Sequence, residues 1–108
     1  MTDLEITKLC AEAMGYSVVK GDGRYKNRMA IATKDGEPVT NYDPLKHDAQ
    51  AMALVKKFRI SVNSYNDDYQ VWPTRIDKKI AGNACTFAAD LNRAICECVA
   101  KMKAADAV

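Results

Sequence analysis

The chain has 108 residues, 48% hydrophobic and 28% charged, with 16 Lys or Arg against 14 Asp or Glu, a formal charge of +2. That length supports one hydrophobic core and is too short for two, so residues 1–108 are read as a single domain. The small net charge is no argument for nucleic acid, and no apolar run approaches the ~20 residues of a membrane helix, so no membrane partner is expected.

Thr2 and Glu5 have the spacing of a capping box, and Ile6, Leu9, Cys10 and Ala13 recur behind them at helical intervals. Gly15 is a natural stop, which predicts a first helix between them. Tyr16 to Lys20 reads as a short strand, followed by a polar GDGRYKN loop, a second strand from Arg28 to Thr33, a Lys34-Asp35-Gly36 turn and an extended piece near Val39. The run YDPLKHDAQAMALVKKFRI, Tyr42 to Ile60, is the richest in information. Asp43 suits an N-cap and Pro44 a first helical position. Ala49, Ala51, Met52, Leu54, Val55 and Phe58 then form an apolar stripe, with Lys56 and Lys57 at the favourable C-terminal end. At Ile60 the period changes to alternation with Val62, and Ile60 to Ser64 and Tyr69 to Trp72 flank a Tyr65-Asn66-Asp67-Asp68 turn, the pattern of a hairpin closed by Pro73.

Thr74 to Ala84 has no clear period and is read as a loop, with a short extended piece at Ile76. The last helix is expected to begin between Asn83 and Thr86, with Phe87, Leu91, Ala94, Ile95, Cys98, Val99 and Met102 on its apolar stripe and Ala104 to Val108 frayed. The order α-β-β-α-β-β-α predicts an α+β fold, a three-layer α/β/α sandwich with helices on both faces of one mainly antiparallel sheet of about four strands.

Three strings, LEITKLCAEAMG, YDPLKHDAQAMALVKKF and LNRAICECVAKM, resemble the small phage and prophage proteins of the phage ABA-sandwich domain family. The resemblance implies a helix-sheet-helix sandwich encoded by a bacteriophage or prophage, in a family without an established molecular activity. It supplies no catalytic residues.

The groups able to do chemistry are isolated. His47, with Asp43 and Asp48 nearby, reads better as a solvated residue in the first turn of a helix than as a general base or metal ligand. Cys96 and Cys98 are two apart on a helix, pointing ~200° from each other, so they do not chelate one ion. Cys98 falls on the stripe and Cys96 off it, where it would mark a subunit contact if it faced a partner chain. The four cysteines, Cys10, Cys85, Cys96 and Cys98, include no CxxC pair and are read as reduced thiols, at least Cys10 and Cys98 of them in the core. Neither metal nor cofactor is expected.

Between Tyr16 and Lys34 five basic residues stand against Asp22 alone, a local +4. Lys20, Arg24, Lys26 and Arg28, interleaved with Tyr16 and Tyr25, therefore form a candidate surface for an anion or nucleic acid. GDG lacks the Lys-Ser/Thr of a phosphate-binding P-loop. Alternation puts Tyr69 and Trp72 on opposite faces of their strand, both covered in a three-layer sandwich, so they read first as core; an exposed aromatic beside Arg75 would instead make Tyr69, Trp72 and Arg75 a candidate protein-binding surface. These features predict a protein that acts by binding rather than catalysis, a cytoplasmic monomer or small homo-oligomer, and the resemblance implies that it is a phage accessory protein in a bacterial host. Its expected partner is a host or phage protein, for example a component of defence, replication or transcription. The alternative is nucleic-acid or nucleotide binding through segment 20–34.

Overall fold

The computed structural model describes residues 1–20, 29–33, 35–39, 42–74 and 85–105. The N-terminal helix forms as the capping box predicts. In α1 (Asp3–Ala13) the Glu5 N–H donates to Thr2 Oγ1 and the Thr2 N–H to Glu5 Oε2, both at 3.2 Å. At the other end the Tyr16 N–H reaches the Ala11 carbonyl and the Gly15 N–H the Glu12 carbonyl, each at 3.0 Å. This paired closure needs the left-handed conformation that Gly15 adopts, with φ of 88°.

Three short strands follow, β1 (Ser17–Lys20), β2 (Met29–Ala32) and β3 (Pro38–Val39), paired antiparallel in the order β1-β2-β3. Ser17 faces Ala32 and Lys20 faces Met29, while Ile31 faces Val39. Gly36, at φ of 84°, turns the chain between β2 and β3, and its N–H donates to Thr33 at 2.9 Å.

The second helix starts later than its sequence suggests. The N–H groups of Lys46 and His47 both donate to the Asp43 carbonyl, closing a turn over Pro44, Leu45 and Lys46. Extended His47 then breaks the chain, and α2 runs only from Asp48 to Phe58. Asp43 is therefore not the cap. Its N–H donates to Gln50 Oε1 at 2.6 Å, and burial of Pro44, with Tyr42 and Leu45 packed on the core, holds the segment in its turn. Of the expected stripe, Ala51 and Leu54 are buried, Val55 and Phe58 half-buried, and Ala49 and Met52 exposed. Arg59, left-handed at φ of 52°, ends α2 and delivers the chain directly into β4 (Ile60–Tyr65).

The hairpin forms with a tighter turn than the expected Tyr65 to Asp68, and Pro73 is the last residue of a central strand, not a mark of an edge. β4 pairs with β5 (Asp68–Pro73) from Ile60↔Pro73 to Tyr65↔Asp68, around a two-residue turn whose Asn66 has φ of 54°. A third strand, β6 (Thr86–Ala88), lies where the last helix was expected to begin. β-branched Thr86 and aromatic Phe87 favour a strand, and Thr86, Phe87 and Ala88 pair with Val71, Gln70 and Tyr69. The last helix, α3 (Leu91–Ala104), instead begins after Asp90, whose Oδ2 accepts the Arg93 N–H at 2.9 Å. Phe87 is consequently off the helical stripe and 58% exposed.

The described strands thus make two three-stranded antiparallel sheets, β1-β2-β3 and β4-β5-β6, where one sheet of about four strands was expected. The class is α+β, with α3 at its centre. α1 and α2 pack on it, and β5 and β6 cover another side. Ala94, Ile95, Cys96, Cys98, Val99, Ala100 and Met102 are all buried. This enclosure corrects the reading of Cys96 as off the buried face: its carbonyl accepts the Cys10 S–H at 3.3 Å, so α1 covers it. No helix among the described residues is long and apolar enough to cross a membrane.

Polar side chains tie the elements at their ends. Arg93 joins α3 to α1 through Asp3 at 2.7 Å and pairs with Glu97 at 3.0 Å. Lys57 Nζ donates to the Met14 carbonyl at 3.1 Å, tying α2 to the end of α1, and Lys101 Nζ donates to buried Thr86 at 2.9 Å.

Candidate functional site

The N-terminal ends of α2 and α3 meet beside β5 and leave a cleft of about 400 Å³ between them. Asp48 opens α2, with Ala51 and Met52 one turn on; Leu91 and Asn92 open α3, with Ile95 one turn on. Tyr69 of β5 and Ala89 and Asp90 of the segment after β6 complete the lining. The Asn92 side-chain amide donates to Asp48 Oδ1 at 2.8 Å and fastens the two helix ends together. The floor is apolar, and Met52, 45% exposed, opens it to solvent.

Tyr69 and Ala89 also line an adjoining hollow of about 280 Å³, with Ser64, Asn66, Asp67 and Asp68 of the β4-β5 hairpin. The two hollows adjoin across Tyr69 and Ala89 and are together termed the groove. Its rim carries Asp48, Asp67, Asp68 and Asp90, and neither lysine nor arginine occurs among the described lining residues.

The residues singled out in the sequence lie apart. Tyr69 is half-buried and central to the groove. Trp72 is half-buried on the other face of β5, opposite Ser61 and on the side of Gln70, so it does not share the groove. Arg75, and likewise Arg24, Lys26 and Arg28, lie outside the described residues, as does the extended piece expected at Ile76. Lys20 ends β1 opposite Met29. His47 is exposed at the N-cap of α2, with no side-chain capping bond. Most groove residues went unnoticed in the sequence because their meeting depends on where two helices begin.

Three of the four thiols belong to the core. Cys10, Cys96 and Cys98 are buried and Cys85 is half-buried, all of them free. The Cys96 side chain, then burial, raises the Cys10 thiol far above its ordinary range. Burial pushes Cys98 up to about 12, against an opposing pull from Lys101. Burial likewise raises the Tyr42 phenol, which stands edge-on to Tyr16 at 5.5 Å between ring centres. Its hydroxyl is buried without a hydrogen-bond partner among the described residues. The described residues contain no cluster of three or more His, Cys, Asp or Glu placed to hold a metal ion.

These raised values make stability fall in alkali. Below pH 9 both folded and unfolded chains keep the Cys98 proton; between pH 9.0 and about 12 only the unfolded chain releases it, so unfolding becomes easier. Cys10 and Tyr42 act with the same sign. Equilibrium denaturation should lose about 1.4 kcal/mol per pH unit as pH rises above 9 through Cys98 alone, with Tyr42 adding to the loss above pH 10. A flat profile from pH 8 to 11 would contradict the buried, protonated cluster.

Comparison with protein-family models, curated proteins and solved structures gives no match for this chain.

Proposed function

We propose that this chain is a small phage- or prophage-encoded accessory protein that acts without catalysis, by binding a host protein through the groove between α2, α3 and the β4-β5 hairpin. The observation that carries this reading is the cleft where the N-terminal ends of α2 and α3 meet, with Tyr69 at its centre and Met52 exposed at its mouth. The resemblance of the three helical strings to the phage ABA-sandwich family supplies the phage setting and the helix-sheet-helix layering proposed for the whole fold. The buried, protonated thiols add to the case against nucleophilic chemistry, because neither Cys10 nor Cys98 reaches a substrate in the folded state. Partners of the expected kind are components of defence, replication or transcription.

The second reading, nucleic-acid binding through Lys20, Arg24, Lys26 and Arg28, rests on the +4 of that segment. One experiment separates the two. Tagged wild type, Met52→Arg and the triple variant Arg24→Ser, Lys26→Ser, Arg28→Ser are used to capture partners from a bacterial lysate with and without nuclease. A partner retained by the triple variant, unaffected by nuclease and lost with Met52→Arg is the expected result. A partner released by nuclease and lost from the triple variant would transfer the function to the basic segment.

A further inference from the structure

The groove has a charge pattern as well as a shape, and the pattern narrows what fits it. We infer that its occupant is a basic protein segment, a large apolar side chain flanked by Lys or Arg, inserted between the two helix ends. This rests on the protein-binding reading above and adds the chemistry of the partner.

An apolar anchor fits the floor of Ala51, Met52, Leu91 and Ile95, and the void of about 400 Å³ is at the scale of side-chain and small-ligand pockets, ~300–1,000 Å³. Cationic flanks fit the rim. Each helix N-terminus contributes about half a positive charge, so the two together offset one of the four rim carboxylates and leave the lining net negative. Asp90 is engaged in capping α3 and Asp48 accepts from Asn92, each through one carboxylate oxygen, which leaves each a second oxygen as acceptor. Asp67 and Asp68, exposed at the hairpin tip, make no side-chain hydrogen bond or ion pair among the described residues, which leaves them open to a guanidinium or ammonium group. An acidic or purely apolar segment would desolvate these carboxylates without pairing them. The reciprocal charge, a basic segment, avoids that cost.

The test starts from short random peptides displayed and selected on the immobilised full chain. The consensus peptide is then synthesised with a fluorescent label and titrated by anisotropy. Peptides with Lys or Arg within two positions of a Leu, Met or aromatic residue are expected. Their affinity should fall about tenfold in Asp67→Asn with Asp68→Asn, substitutions that an exposed turn tolerates, and about tenfold between ~50 and ~300 mM salt. Met52→Lys, which places a cation on the floor, should abolish binding. Uncharged peptides that are lost with Met52→Lys but indifferent to the Asn pair would overturn the basic-segment inference while leaving the groove as a protein site. Peptides that bind Met52→Lys as tightly as wild type would overturn both. Concentration-dependent self-association that Met52→Lys abolishes, seen by sedimentation, would make a second copy of the chain the occupant and overturn the inference of a separate partner.

Discussion

Leu54→Ala is expected to destabilise the protein by about 2–5 kcal/mol, measured by denaturant unfolding with an unchanged slope. Leu54 is fully buried in the core that α2 shares with α3. Truncation there removes apolar contacts and leaves a cavity that helices fixed by the Asn92–Asp48 and Lys57–Met14 links cannot fully close. Met52→Ala, two residues earlier on the same helix, is the control. Its side chain is 45% exposed, and its truncation should cost well under about 1 kcal/mol. Equal losses at the two positions would mean that α2 presents a different face to the core.

The second large effect is in thiol reactivity. At neutral pH the thiolate fraction of Cys98, raised from 9.0 to about 12, is about a thousandfold below that of an ordinary cysteine. Burial adds a steric barrier, and Cys10 is held protonated still more firmly. Labelling of the native protein should therefore modify half-buried Cys85 first and reach Cys10, Cys96 and Cys98 only as the chain opens. In denaturant all four should react alike. Prompt native labelling of Cys10 or Cys98 would contradict the packing of α1 and α3. Rapid labelling of Cys96 would restore the exposed position that its place off the stripe suggested.

Where local chemistry alone decides, the sequence was readable. The Thr2/Glu5 box and Gly15 bracket α1, and alternating Ile60 to Trp72 about an Asn-Asp turn defines the β4-β5 hairpin. Tertiary packing overrode local signals elsewhere. Asp43-Pro44 is a good helix start by propensity, yet burial of Pro44 beside Tyr42 and Leu45 keeps that segment a turn and moves the start of α2 to Asp48. Thr86 to Ala88 was absorbed into a helical period that Phe87 happened to fit, whereas pairing with β5 makes it a strand. Cys96 lies off the apolar stripe yet is buried, because a stripe marks the covered face of a helix packed on one side, and α3 is covered by α1 and α2 as well as by β5 and β6. The same shifts hid the groove. Asp48, Leu91 and Asn92 become neighbours only once α2 and α3 begin at their observed residues, so Tyr69 alone of the groove was singled out for binding.

Amide NMR of the isotopically labelled chain, titrated with the captured partner, locates the binding surface. Binding through the groove should concentrate the shifts at Ala51, Met52, Asp67 to Tyr69 and Ala89 to Asn92. Shifts confined to Lys20 through Lys34, with those groove amides unmoved, would contradict it.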